Sequence, residues 1–239
     1  MLREHRRWNS PSLGRDMDLL IFGHAGARML VFPTSMGRYF EWEDRGMTLA
    51  LADHLEHGRL QMFCVDSVDE ESWYNKGVHP GIRALRHTQF ERYILEEVLP
   101  FTAHANSTAY LIATGASFGA YHAVNLTLRH PRVVNRVIGL SGLYDMKQIT
   151  DGYSDDTVYF NNPSDFLRHE HDDDRLSAMR ALDLILVTGR DDSALANNQW
   201  MSSVLSEKGI PHRLRIWDGW AHDWPYWRHM IRTYIDGSN

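Results

Sequence analysis

Cysteine is almost absent: the 239 residues carry one, Cys64. An internal disulfide is excluded, and the fold must rest on its apolar core, as suits a reducing compartment. No apolar run reaches the roughly 18 residues that a membrane-spanning helix requires. The basic segment Met1 to Ser10 leads into no apolar stretch of the kind a secretory signal carries, so a cytoplasmic protein with no membrane partner is expected. Positive charge is also short. Lys and Arg number 25 against 31 Asp and Glu, a net charge of −6, which removes any electrostatic reason to bind nucleic acid. Repeats, low-complexity tracts and Gly/Ser linkers are missing. At 43% hydrophobic and 23% charged residues, the composition excludes a disordered chain, a collagen-like fibre and a charged coiled coil. The length suits one large domain or two small ones at about 150 residues each. What the chain does have in abundance is histidine (14) and tryptophan (8), so where these cluster becomes the useful question.

Short apolar segments bounded by Gly, Pro or polar residues predict strands over Met17–Phe22, Arg28–Phe32, Leu60–Val65, Ala109–Ala113, Arg136–Leu140, Leu184–Val187 and Arg213–Trp217, with a further one near Arg3–Trp8. Between them, helices are expected over Glu41–Glu56, Gly81–His104, Ser117–Arg129, Ser193–Lys208 and Asp223–Tyr234. In the long second one, Ile82, Leu85, Phe90, Ile94, Val98 and Leu99 fall near helical spacing and should form its buried face. The third ends where His130-Pro131 disfavours helix, and the fourth ends at Gly209. The later strands are continuous apolar runs, which suit a parallel sheet covered by helices on both faces. Strand-helix alternation with right-handed crossovers gives an open α/β sheet. The first strands, joined by short turns, are expected to pair antiparallel. Ligands of such sheets bind beyond the carboxyl ends of the strands.

Several polar clusters carry little chemistry. His169 to Asp174 (H-E-H-D-D-D) lacks a helical H-E-x-x-H and reads as a solvated loop, not as a metal site. His54 and His57 fit a wet helix face. Cys64 lies inside an apolar strand and reads as a small core residue.

The informative cluster is Gly115-Ala116-Ser117-Phe118-Gly119, a G-x-S-x-G directly after a strand and opening a helix. A serine on so sharp a turn projects its hydroxyl from the sheet edge, and the Phe118 amide points at a developing oxyanion. A tight turn with an N-capping serine is the plainer alternative. Serine needs a base. His222 follows the last strand within Trp217-Asp218-Gly219-Trp220-Ala221-His222-Asp223-Trp224-Pro225. The acid should follow the preceding strand, where Asp191 and Asp192 stand after Gly189, one of them free to cap the next helix. Ser117, Asp192 and His222 then occur in the chain order of an α/β-hydrolase. A second oxyanion donor is expected in Phe32-Pro33-Thr34-Ser35-Met36-Gly37. Ser35 is the first choice and Thr34 the next, since Pro33 has no N–H. Trp73, Tyr74, Trp220 and Trp224 are candidates to hold a planar substrate group.

With these pieces in place, the sequence resembles the esterase D-like branch of the α/β-hydrolase superfamily, which includes S-formylglutathione hydrolases, feruloyl and acetyl esterases, siderophore esterases and mycolyltransferases. G-A-S-F-G, G-R-D-D after a strand, and K-G-I-P-H leading to D-G-W-A-H-D-W-P-Y-W carry the resemblance from Gly115 to the C-terminus. The early strands and P-T-S-M-G fit as well. The resemblance implies an α/β-hydrolase fold as a single domain over residues 1–239, with Ser117 as nucleophile and His222 as base. In the family's G-x-x-D motif, the third residue after the glycine is Asp192. It implies a serine carboxylesterase acting on a small-molecule ester, with no cofactor and no metal; a homo-oligomer is left open. Acyl transfer to an alcohol, and a non-catalytic binding module of the same fold, remain the alternatives. The sequence departs from the branch in two ways. Residues 141–183 are too few for a full cap domain. P-T-S-M-G also replaces the S-G-L-T loop and nearby cysteines of formylglutathione hydrolases, which points away from formylglutathione as substrate.

Overall fold

In the computed structural model, which describes residues 1–236, the strand segments join one eight-stranded sheet in the order β1-β2-β4-β3-β5-β6-β7-β8. The strands are β1 (Arg3–Ser10), β2 (Arg15–Phe22), β3 (Ala27–Phe32), β4 (Leu60–Val65), β5 (Leu111–Ala116), β6 (Arg136–Leu140), β7 (Asp183–Gly189) and β8 (Arg213–Trp217). β1 pairs antiparallel with β2, and β2 with β4; every other neighbouring pair is parallel. The antiparallel expectation holds for β1 and β2. It fails for β3, which does not touch β2: the helical crossover after β3 returns the chain as β4 into the gap between them. β1 is an edge rich in charge, with Arg3 paired to Glu43 and Arg7 to Asp16, which blunts strand-to-strand association. β4 and β5 are buried at every residue, as strands covered on both faces must be.

Around the sheet lie α1 (Glu41–Asp44), α2 (Met47–Ala50), α3 (Ala52–Glu56), α4 (Pro80–Tyr93), α5 (Leu99–Ala105), α6 (Phe118–Arg129), α7 (Asp156–Phe160), α8 (Pro163–Phe166), α9 (Asp173–Arg180), α10 (Leu195–Glu207) and α11 (Trp224–Tyr234). One face is packed by α4, α6 and α10 through Phe90, Tyr93, Ala120, Val124, Met201 and Val204. The other is packed by α1 to α3 and α11 through Trp42, Met47, Leu55, Trp227 and Ile231. Segment 141–182, where a cap would be inserted, contributes only short helices.

Two helix expectations need correction. Residues 41–56 form three short helices, because the chain turns at Gly46, with φ of 71°, and again at Leu51. Residues 80–105 are helical throughout, but Ile94–Val98 widens into a π-turn just before Pro100, which has no N–H to give and whose ring would crowd a regular turn. Ile82 and Leu85 do not face the core; they are 57% and 54% exposed. The N-terminal half of α4 is anchored by polar contacts instead, with Arg83 donating to the carbonyls of Trp73 and Ile149, and His87 buried. Replacing Ile82 or Leu85 with Lys should therefore shift unfolding free energy by no more than about 0.5 kcal/mol. Phe90→Ala, which empties a core site, should cost about 3–5 kcal/mol. Urea titrations of the three variants check this.

Candidate active site

β5 runs straight into Ser117, which adopts φ 54° and ψ −120°, a conformation that side chains other than glycine rarely hold. The surroundings impose it. The Ser117 N–H donates to the Leu140 carbonyl at the end of β6 at 2.7 Å. A Cβ on Gly115 would stand 2.2 Å from the Gly119 carbonyl carbon, and one on Gly119 would stand 2.5 Å from the carbonyl oxygens of both Phe32 and Pro33. Only hydrogen fits at either place, so α6 can close against both β5 and the end of β3. The plainer alternative of an N-capping serine does not apply: the Ser117 side chain makes no capping bond.

The Ser117 hydroxyl instead meets His222, with Oγ 3.2 Å from Nε2. His222 Nδ1 lies 2.9 Å from Asp192 Oδ1. The Asp192 side chain is fully buried. It also accepts from the Ala194 N–H at 2.8 Å and from Thr188 Oγ1 at 3.1 Å. Burial pushes its carboxyl up, but hydrogen bonds from His222 and the Ala194 amide outweigh that and hold it below the usual carboxylate range. The stability that this depressed value contributes is present at neutral pH and is lost as pH falls through it. Asp191 is exposed, and only its N–H is used, donating to the Gly219 carbonyl at 3.0 Å. Neither acid takes the capping role left open between them: α10 begins after Ala194 with no side-chain cap, and Asp192 instead fixes the turn before it through the Ala194 N–H.

Ser141, which the sequence motifs did not single out, also positions this cluster. It lies just past β6 with φ 53° and is buried. Its hydroxyl donates to the Ala221 carbonyl at 3.3 Å and accepts from Trp227 Nε1 at 3.2 Å, steadying the loop that carries His222. A Cβ on Gly189 would lie 2.2 Å from the Trp220 carbonyl oxygen, so the turn after β7 packs directly on the same loop. The only sequence signal was a small polar residue directly after a strand end.

The loop after β3 assigns its own N–H groups. Thr34 N–H donates to Glu41 Oε2 at 2.8 Å, Met36 N–H to Asp69 Oδ2 at 3.0 Å and Gly37 N–H to the Thr34 carbonyl at 2.9 Å. Thr34 is thereby removed as an anion donor. The N–H groups of Ser35 and Phe118 have no acceptor among the described residues.

The four aromatic candidates separate. Trp73 is a correction: it is completely buried against His87 and Tyr121, so no substrate can reach it. Tyr74 is half-buried, its hydroxyl 2.7 Å from Ser35 Oγ and its ring edge-on to Phe118. Trp220 is 53% exposed and stacks on His222. Trp224 packs edge-on to Trp227 and lies under the Arg45 guanidinium. The histidine-rich segment is engaged elsewhere, with Glu170 paired to Arg175 and Asp172 capping α9. Among the described residues, no three His, Cys, Asp or Glu side chains are grouped to hold a metal ion. His54 meets Asp236, and burial pushes the Cys64 thiol far up, leaving it unreactive. Among the described residues, no helix is long and apolar enough to cross a membrane.

Residues 39–234 match the family model described as "Putative esterase". The chain belongs to this esterase family. No curated protein matches its sequence. Among solved structures, this esterase is similar to a ferulic acid esterase (TM-score 0.79, 17% identity, covering 98% of this chain and 96% of the other). It is similar to a fluorophosphonate-binding serine hydrolase of Staphylococcus aureus (0.75, 16%, 98% and 97%). An S-formylglutathione hydrolase from Staphylococcus aureus is also similar (0.74, 18%, 98% and 95%). At these identities the likeness establishes the α/β-hydrolase fold.

Gly119→Ala should force the end of β3 away from α6. Overpacking of this kind costs about 1–3 kcal/mol, or more where backbone atoms must yield. The esterase should lose that much in a urea titration while the same change at Gly77, whose Cβ would meet only the Asn75 Oδ1 at 3.4 Å, costs less.

Proposed function

We propose that this esterase is a single-domain serine carboxylesterase acting through an acyl-enzyme on compact acyl or aromatic esters. The observation that carries the reading is His222 lying between Ser117 Oγ at 3.2 Å and the buried Asp192 carboxylate at 2.9 Å. In this reading His222 Nε2 takes the Ser117 proton as Oγ attacks the ester carbonyl. Asp192 keeps the Nδ1 proton in place and stabilises the imidazolium. The Phe118 and Ser35 N–H groups receive the oxyanion. The tetrahedral intermediate collapses, the alcohol leaves with the proton from His222, and water, activated by the same histidine, hydrolyses the acyl-enzyme. The residues alone supply these steps, so neither cofactor nor metal is called for.

Substrate size follows from shape. Short helices in segment 141–182 build no lid, and Ser117 and His222 stay partly exposed. A long alkyl chain finds no enclosed apolar wall there, whereas exposed Trp220 and half-buried Tyr74 offer flat surfaces to a small or planar group. p-Nitrophenyl esters from acetyl to decanoyl should show a short-chain optimum, and Ser117→Ala should lose about three or more orders of magnitude in turnover while keeping its melting temperature. An optimum near ten carbons sinks the size argument, and a fully active Ser117→Ala sinks the nucleophile. Adding an alcohol to the same assay and measuring the ester it forms reads out acyl transfer.

The two adjacent acids should behave unequally. Asp192→Asn leaves His222 free to take the wrong tautomer and should cost up to about four orders of magnitude in turnover. Asp191→Asn alters an exposed side chain with no bond of its own and should leave turnover within a few-fold. Steady-state kinetics on both variants distinguishes them; inactivation by the Asp191 change would move the acid by one residue.

A further inference from the structure

We propose that Asp69, held by His122, is a positioning residue for the oxyanion hole. The inference rests on the reading of Ser117, Phe118 and Ser35 given above. The Ser35 N–H has no acceptor among the described residues, and its peptide is held on the carbonyl side, where the Thr34 carbonyl accepts from the Gly37 N–H at 2.9 Å. The N–H groups of the two neighbouring peptides are both anchored to carboxylates. The preceding peptide is fixed by Thr34 N–H on Glu41, and Thr34 Oγ1 donates to the same carboxylate at 2.7 Å. The following peptide is fixed by Met36 N–H on Asp69 Oδ2 at 3.0 Å. Met36 needs such a hold, because its φ is 55°, a conformation that a residue with a Cβ adopts only when its surroundings insist.

Asp69 is 1% exposed and its second oxygen, Oδ1, meets His122 Nε2 at 3.0 Å. His122 Nδ1 is buried without a partner, so the bond to Asp69 is the one that orients the ring, with the proton on Nε2. His122 stands on α6, the helix that opens with Phe118, and its ring packs edge-on to Phe118 at 4.9 Å and stacks on Phe32 at 5.7 Å. The carboxylate therefore ties the loop bearing one oxyanion donor to the helix bearing the other. A second route to Ser35 runs through the backbone of the same residue, since the Asp69 carbonyl accepts from the Tyr74 N–H at 3.0 Å and the Tyr74 hydroxyl reaches Ser35 Oγ at 2.7 Å. Donors of an oxyanion hole act by being aimed in advance at where charge develops, so slackening one of them should slow the chemical step without weakening ester binding.

The test compares Asp69→Ala, Asp69→Asn, His122→Leu and His122→Gln with the wild type and Ser117→Ala, using p-nitrophenyl acetate and its thiono analogue. A thiocarbonyl sulfur is a larger, poorer acceptor, so an intact oxyanion hole favours the oxygen ester. Asp69→Ala and His122→Leu should lower kcat about 10²-fold, the scale of a lost oxyanion donor, with KM within a few-fold and a reduced preference for oxygen over sulfur. Asp69→Asn, which keeps an acceptor for Met36, should lose less than Asp69→Ala. His122→Gln, which keeps an N–H near the position of Nε2, should recover most of what His122→Leu loses. The proposal is overturned if the folded variants keep wild-type kcat, if the loss falls on KM, or if both esters slow equally. Should Asp69→Ala prove too unstable to assay, His122→Gln decides: a loss as large as that of His122→Leu overturns the proposal. Activity retained in Ser117→Ala would instead remove the serine reading itself.

Discussion

Everything in the site depends on how closely the turn at Ser117 can be folded against its neighbours. With hydrogen alone at Gly119, the start of α6 rests on the carbonyls of Phe32 and Pro33; with hydrogen alone at Gly115, the strand rests on the helix. That contact does two things at once. It pins Ser117 in a backbone conformation it would not choose, aiming the hydroxyl off the sheet edge, and it brings the loop after β3 beside the helix N-terminus. The strain at Ser117 is held by the sheet itself, through the Leu140 carbonyl and the paired strands on either side.

On that frame the site is set by three carboxylates, two of them buried, each pointed at hydrogen-bond donors. Asp192 gathers His222, Thr188 and Ala194; Asp69 gathers Met36 and His122; Glu41 gathers Thr34 twice. A buried carboxylate without donors is costly, so each of these acids fixes the backbone that satisfies it. The amides of Ser35 and Phe118, the oxyanion donors of the proposed reading, have no acceptor among the described residues. The loop that carries His222 is steadied in the same manner, by Ser141 on the Ala221 carbonyl and by Gly189 packing on Trp220.

The shallow mouth follows from the short segment after β6. Where a cap would enclose the acyl group, α7, α8 and α9 pack back on the body: Val158 joins Trp73, Phe118 and Tyr121, and Phe166 and Leu176 enter the core on the α6 side of the sheet. Trp220 and Tyr74 supply local surface around an open Ser117.

Much of this was legible in the residues. Continuous apolar runs for β5 to β7 announced a covered parallel sheet, and G-A-S-F-G after a strand marked the turn, because period and turn chemistry are local properties. The order Ser117, Asp192, His222 needed only the alternation of strands and helices. What the sequence could not determine was anything set by a distant partner. The periodicity of Ile82 and Leu85 suggested a buried face, but Arg83 and His87 took the inward positions because loop carbonyls and buried histidine partners wait there. Trp73 and Tyr74 are adjacent and both aromatic, yet one is sealed in the core and the other borders Ser35. β3 parted from β2 because β4 fills the space between them. Ser35 rather than Thr34 keeps a free N–H because Glu41 and Asp69, from separate segments, use up its neighbours. Local pattern determined the elements and the residue types at the strand ends; long-range hydrogen bonds and burial decided which of those residues are sealed in the core and which border Ser117.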